Sequence, residues 1–254
     1  MQAAIERLKA GASLTDADRT ALAPCEHVEK HWVQVTEALE IKSTAYKSAG
    51  DDVKPLAALS CDASDMWRYL QLAKRIAAIR PKEGAAVVGI CAPTGAGKST
   101  LVQILRMLLE DILKVGQTVE VSLDDFLSSQ EERRQRGIQT RWDVNSTNED
   151  FAPKLAALKR SKEGSVVHLP EFEKARDDRR AGTRRVDGKV AVVLFEGWRV
   201  GVDHPNFQRF KCQPTGSNPT QPPREWPLIR SPLTAASSPC CCQRAHRPLG
   251  LRPC

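Results

Sequence analysis

The sequence predicts an α/β domain built around a doubly wound, mainly parallel sheet. Three observations predict it: short, valine-rich apolar runs at residues 85–91, 118–123 and 190–195, intervening stretches with apolar residues at helical spacing, and a glycine-rich turn after the first run. Continuous apolar runs belong to strands covered on both faces, as in parallel sheets. Strands that alternate with helices wind those helices onto the two faces of such a sheet.

Taken in chain order, residues 1–80 read as helical. Trp67, Leu70, Leu72, Ala73, Ile76 and Ile79 recur at three- and four-residue steps, so residues 65–80 form an amphipathic helix packed on the sheet and ended by Pro81. Residues 85–91 are the first strand, 98–113 a helix, 118–123 a strand, 149–159 a helix, 166–169 a brief strand and 190–195 the most continuous strand. From about Lys211, nine prolines interrupt a segment with almost no apolar periodicity. Such a segment cannot bury enough surface to offset its ordering entropy. The expected organisation is a helical N-terminal extension over 1–80, an α/β domain over 81–210 and a disordered tail rich in Pro, Cys and Arg over 211–254. A Pro-rich docking tail is the competing view, although no repeated P-x-x-P unit stands out.

With 254 residues, 41% apolar and 27% charged, the chain has the composition of a soluble globular protein. No run approaches the roughly 18 uncharged apolar residues of a membrane span. Residues 1–30 mix Glu6, Asp16, Asp18 and Glu26 among their basic residues and lack the apolar stretch of a secretory signal. The expected compartment is the cytoplasm, with a plastid as the alternative. The net charge of +7 would suggest a polyanionic partner were it spread over the fold. However, Lys211, Arg224, Arg230, Arg244, Arg247 and Arg252 face the single acid Glu225, which leaves the first 210 residues near +2. A basic tail is weaker evidence than a basic folded face, so neither nucleic acid nor membrane is an expected partner. Cys25, Cys61 and Cys91 are scattered as in reduced proteins. The adjacent cysteines 240–242 lack the C-x-x-C spacing of a tetrahedral zinc site.

Chemistry gathers where the strands end. Between the first strand and the helix that follows lie Ala92, Pro93, Thr94, Gly95, Ala96, Gly97, Lys98, Ser99 and Thr100. A phosphate cradle needs glycines that turn backbone N–H groups inward and a helix N-terminus behind them. It also needs a lysine for the β/γ-phosphates and a hydroxyl for Mg²⁺. Residues 93–100 supply these parts, although Ala92 stands where the common pattern begins with glycine. ATP and Mg²⁺ are the expected ligands. Asp124 and Asp125 end the second strand, and the carboxyl ends of parallel strands face the ligand crevice. A carboxylate there accepts the proton of an attacking hydroxyl or helps hold the metal; the alternative is that it only caps the following turn. Glu196 ends the long apolar strand, where P-loop proteins carry a second metal-organising acid.

These residues resemble the glycerate kinases of the phosphoribulokinase/uridine kinase group of P-loop enzymes. The resemblance is carried by Ala92-Pro93-x-Gly95-x-Gly97-Lys98-Ser99, Ser122-Leu123-Asp124-Asp125-Phe126 and Leu194-Phe195-Glu196-Gly197-Trp198-x-x-Gly201. Arg136-Gly137 and Asp143 stand in the family's R-G-N-x-G-x-H-D segment, where Thr140 and Trp142 replace its second glycine and its histidine. Pro170-x-Phe172-Glu173-Lys174 with Asp178-Arg179 resembles P-x-Y-D-K followed by G-D-R. The resemblance implies ATP-dependent phosphorylation of a small hydroxy acid, D-glycerate giving 3-phosphoglycerate. Asp124 would be the base, Lys98 would sit on the phosphates and Ser99 with Glu196 on Mg²⁺. Arg136, Asp143, Lys174 and Arg179 would face the acceptor. After about residue 206 the family pattern gives way to the tail, as in a kinase domain truncated before its lid. Two alternatives follow: a nucleotide-binding protein without turnover, and a kinase for a nucleoside- or pantothenate-like acceptor.

Overall fold

A computed structural model describes residues 1–23, 25, 27–44, 56–147, 151–201 and 229–230. Helices α1 (Gln2–Lys9), α2 (Asp16–Leu22), α3 (Val28–Ser43) and α4 (Ala63–Ala78) precede the first strand. The helix expected over 65–80 begins two residues earlier, because Asp62 accepts from the Asp65 amide and caps α4. It stops at Ala78, three residues before Pro81, since a residue preceding proline is driven out of the helical region.

The sheet follows the expected parallel plan. Strands β1 (Ala86–Cys91), β2 (Thr118–Ser122) and β7 (Val192–Gly197) pair in parallel, in the order β2-β7-β1, with β8 (Ile229–Arg230) parallel to β1 on its other side. Side chains alternate across it. Val88, Ile90, Val192 and Leu194 join one core with α1–α4 and with α5 (Lys98–Met107), where Trp67, Leu70, Ile104 and Leu105 are fully buried. Val119, Val121, Val193 and Phe195 join the opposite core with α7 (Phe151–Lys159). Every residue of β7 is buried, which is why its sequence reads as an unbroken apolar run. The helix expected over 98–113 is α-helical only to Met107. It continues as a π-helical turn, Leu108–Ile112, in which the Leu113 amide reaches the Leu108 carbonyl.

One strand falls outside the parallel sheet. β3 (Val166–Leu169) pairs antiparallel with β6 (Arg184–Asp187). Val167 and Leu169 are buried while Val166 and His168 are exposed, the alternation of a strand with one solvated face. β6 itself is not expected from the sequence, and neither are α6 (Gln130–Gln135) and the two-residue strands β4 (Phe172–Glu173) and β5 (Asp178–Arg179), which form a hairpin. The tail expected to be disordered lies outside the described residues apart from Ile229 and Arg230, paired with Ile90 and Cys91. Among the described residues no helix is long and apolar enough to cross a membrane.

Gly197 closes β7 against the turn after β2, and a Cβ there would stand 2.7 Å from Leu123 Cβ and 3.1 Å from Val200 Cγ2. Gly197→Ala is therefore expected to cost about 1–3 kcal/mol through overpacking. Urea unfolding should show a lower midpoint at an unchanged slope, and an unshifted midpoint would contradict this packing.

Candidate functional site

Strands β1, β7 and β2 end level with one another. Ile90 pairs with Glu196 and Cys91 with Gly197, while Ser122 pairs with the same Glu196 from the other side. The chain therefore leaves β1 into residues 92–97 beside the acid that ends β7, and leaves β2 into Asp124 on the opposite flank. Gly95 and Gly97 take φ of 80° and 79°, the left-handed region that glycine enters without a Cβ clash. Gly97 is the N-cap of α5, so the loop curls over a helix N-terminus whose free amides favour an anion. The Lys98 ammonium folds back and donates to the Pro93 carbonyl at 3.1 Å.

A cavity of about 280 Å³ opens over these strand ends, lined by Thr94, Gly95, Gly97, Lys98, Ser99, Thr100, Asp124, Lys174, Glu196, Gly197 and Trp198. Glu196 is 8% exposed, and burial pushes its carboxyl above the ordinary range, opposed by the Ser122 hydroxyl and by Lys98. The Ser122 hydroxyl donates to Glu196 Oε1 at 2.9 Å and accepts from the Asp124 amide at 3.3 Å, tying the two acids into one network. Lys174 Nζ lies 2.9 Å from Asp124 Oδ2. Burial works against the Lys174 ammonium, but Asp124 and then Glu196 and Asp125 raise its pKa above the ordinary lysine value. The Ser99 hydroxyl and the Glu196 and Asp124 carboxylates are hard oxygen donors around one cavity. Such a set suits Mg²⁺, which takes few protein ligands and keeps others from phosphate and water. Among the described residues no group of three or more His, Cys, Asp or Glu forms a metal cage.

The other sequence-derived candidates do not line the cavity. Arg136 donates to Ser128 Oγ at 3.1 Å and to the Asn145 carbonyl at 2.6 Å. Asp143 caps the Asn145 amide at 2.8 Å, and Arg179 Nε donates to the Leu127 carbonyl at 2.8 Å. These bonds tie Arg179 and the segments around Ser128 and Asn145 to one another. Pro93 and Ala96 belong to the loop but do not line the cavity.

Sequence reasoning gives no role to Ser122 or Trp198. Ser122 is detectable only from the register that sets it opposite Glu196. Trp198 stacks edge-on to Trp142 with centroids 6.4 Å apart, under Arg199 at 4.3 Å, while Arg141 lies 4.9 Å from the Trp142 ring. Trp142, 47% exposed, thus packs against a residue of the cavity lining, in the place of the family's histidine.

Asp125 does not line this cavity. It accepts from the Phe172 amide at 3.3 Å and anchors the β4–β5 hairpin. Burial pushes its carboxyl up to about 6 from 3.8, against that hydrogen bond and the nearby Arg184. Between about pH 4 and 6 the native state therefore holds a proton that the unfolded state has released. Asp125 makes stability fall as pH rises through that window, by up to roughly 1.4 kcal/mol for each pH unit crossed. Asp125→Asn keeps the acceptor oxygen, and its unfolding free energy should lose this fall; an unchanged pH profile would contradict the burial of Asp125.

Residues 87–209 match the model of the phosphoribulokinase/uridine kinase family. The chloroplastic D-glycerate 3-kinase of Arabidopsis thaliana is 34% identical over 131 residues, 45% of this chain and 28% of that protein. The chain thus spans little more than a quarter of that relative's length. Among solved structures, a candidate fructose transport system kinase from Silicibacter sp. aligns at 25% identity over 55% of this chain and 68% of its own, with a TM-score of 0.49. A D-glycerate 3-kinase from Cryptococcus neoformans aligns at 24% identity over 52% of this chain and 50% of its own, with a TM-score of 0.42. Over residues 87–209 the chain is thus similar to the phosphoribulokinase/uridine kinase family.

Proposed function

We propose that the protein is an ATP-dependent small-molecule kinase that phosphorylates a hydroxyl of D-glycerate to give 3-phosphoglycerate. The observation that carries the reading is the convergence of a glycine-turned loop, Lys98, Ser99, Asp124 and Glu196 on one cavity at the strand ends. D-glycerate as acceptor is supported by the named activity of the 34% identical relative.

In this reading residues 93–100 hold the triphosphate through backbone amides, and Lys98 leaves the Pro93 carbonyl for the β/γ-phosphates. Ser99 and Glu196 would hold Mg²⁺, which when bound neutralises charge on the phosphate oxygens. Asp124 takes the proton of the acceptor hydroxyl. That oxygen forms a bond to the γ-phosphorus as the bond to the bridging oxygen breaks and its electron pair leaves with ADP. Little covalent chemistry is asked of the protein, so the rate comes from positioning and charge neutralisation. Arg136, Asp143 and Arg179 serve the acceptor indirectly, by bracing the segment that follows Trp142 and the hairpin that carries Lys174. A nucleoside-like acceptor is favoured by one observation, the Trp142–Trp198 pair on the rim, which offers an aromatic face for a planar ring. ADP release measured with D-glycerate, uridine and pantothenate separates the readings: D-glycerate alone should drive turnover, and turnover with uridine instead would reassign the acceptor.

Lys98→Ala should weaken Mg·ATP binding at least about tenfold, or roughly 1.4 kcal/mol; equal affinity by calorimetric titration would remove Lys98 from the site. Asp124→Asn should lower kcat more than Asp125→Asn, because Asp124 lines the cavity whereas Asp125 holds a backbone amide. The reverse order would transfer the base role to Asp125.

A further inference from the structure

We propose that Lys174 is the receptor for a carboxylate on the acceptor, and that this carboxylate replaces Asp124 at the Lys174 ammonium and thereby frees Asp124 for the hydroxyl proton. The inference rests on the kinase reading and adds to it a reason why the acceptor must be an acid.

The ion pair joins two groups with unequal access to solvent. The Lys174 side chain is 57% exposed and the Asp124 side chain 19%, with 2.9 Å between Nζ and Oδ2. A solute reaching the cavity therefore meets the ammonium first. While the pair is closed, Oδ2 is occupied by the ammonium and is not open to an incoming hydroxyl, so the resting arrangement holds the base in check. A half-exposed pair of this kind is weakly held. An incoming carboxylate offers the ammonium the same charge-assisted bond, so the exchange costs little. A neutral polyol offers no such bond and leaves Asp124 engaged.

The backbone beneath Lys174 is fixed, and its side chain is 57% exposed. Asp177, in the turn between β4 and β5, accepts from Arg133 at 2.6 Å and from Arg141 at 2.9 Å, and the Phe172 amide is held by Asp125. Lysine suits the task because its charge is a point at the end of a flexible stem that can turn from one carboxylate to another. Lys174 gives up no proton in the step; the hydroxyl proton goes to Asp124 and the γ-phosphoryl group to the hydroxyl oxygen.

Calorimetric titration of D-glycerate and of glycerol into the full chain and its variants tests the exchange without requiring turnover. Wild type should bind D-glycerate at least about tenfold more tightly than glycerol, and Lys174→Met should abolish that difference, with Lys174→Arg restoring part of it. Asp124→Asn removes the internal competitor and should bind D-glycerate several-fold more tightly than wild type. Equal D-glycerate affinity in wild type and Lys174→Met, or no gain in Asp124→Asn, would overturn the proposal. The expected binding pattern without any ADP release would uphold the exchange and overturn the kinase reading instead.

Discussion

The structure depends most on the parallel register of β7 between β1 and β2. Glu196 stands opposite Ile90 on one side and Ser122 on the other, so the loop after β1 and the acid after β2 reach the same level. A slip of one residue would turn Glu196 to the opposite face and bring Phe195 to the cavity, because side chains alternate along a strand. The register is held by two apolar cores at once. Val192 and Leu194 are fixed in one, Val193 and Phe195 in the other. A slip would exchange both sets together and unmake both cores.

On these strand ends the cavity collects opposite charges in a poorly solvated place. Glu196 is nearly buried, and its cost is offset by the Ser122 hydroxyl and by Lys98. Asp124 and Lys174 meet nearer the mouth, where water reaches the lysine. This gradient, from a covered acid fixed by the strands to an exposed cation on a hairpin, separates what must be rigid from what must move. In the proposed reading the triphosphate would meet strand ends and a helix N-terminus, and the acceptor would meet loops. Arg133, Arg136 and Arg179 donate to backbone carbonyls, and Arg133 also to the Asp177 carboxylate, rather than lining the cavity.

Much of this is legible in the sequence, for identifiable reasons. The glycine spacing and the lysine of residues 95–98 follow from the local demands of an anion cradle, and Asp124 and Glu196 follow from the rule that strand ends face the crevice. Local periodicity finds α4, β1, β2 and β7 because each buries a regular stripe or two whole faces. Elements set by longer-range contact are not legible. The six residues of α6 are too few for a hydrophobic period, although its capping box of Ser129 and Glu132 is a readable signal. β4 and β5 have two residues each and exist through their pairing. Val166–Leu169 reads as a strand, but four residues of alternation do not say which partner it takes, and only its pairing with β6 removes it from the parallel sheet. Arg136, Asp143 and Arg179 match a pattern, yet only packing decides whether a long side chain turns to a cavity or to a carbonyl. Lys174 alone of the four turns to the cavity.

Phosphoryl transfer to a small acid can be watched directly at the phosphorus atom. Phosphorus NMR of the full chain with Mg·ATP and D-glycerate should show the ATP signals giving way to those of ADP and an equal amount of one new phosphomonoester signal, which vanishes when D-glycerate is omitted. Growth of inorganic phosphate alone, or an ATP spectrum unchanged over the time in which binding is complete, would contradict the account.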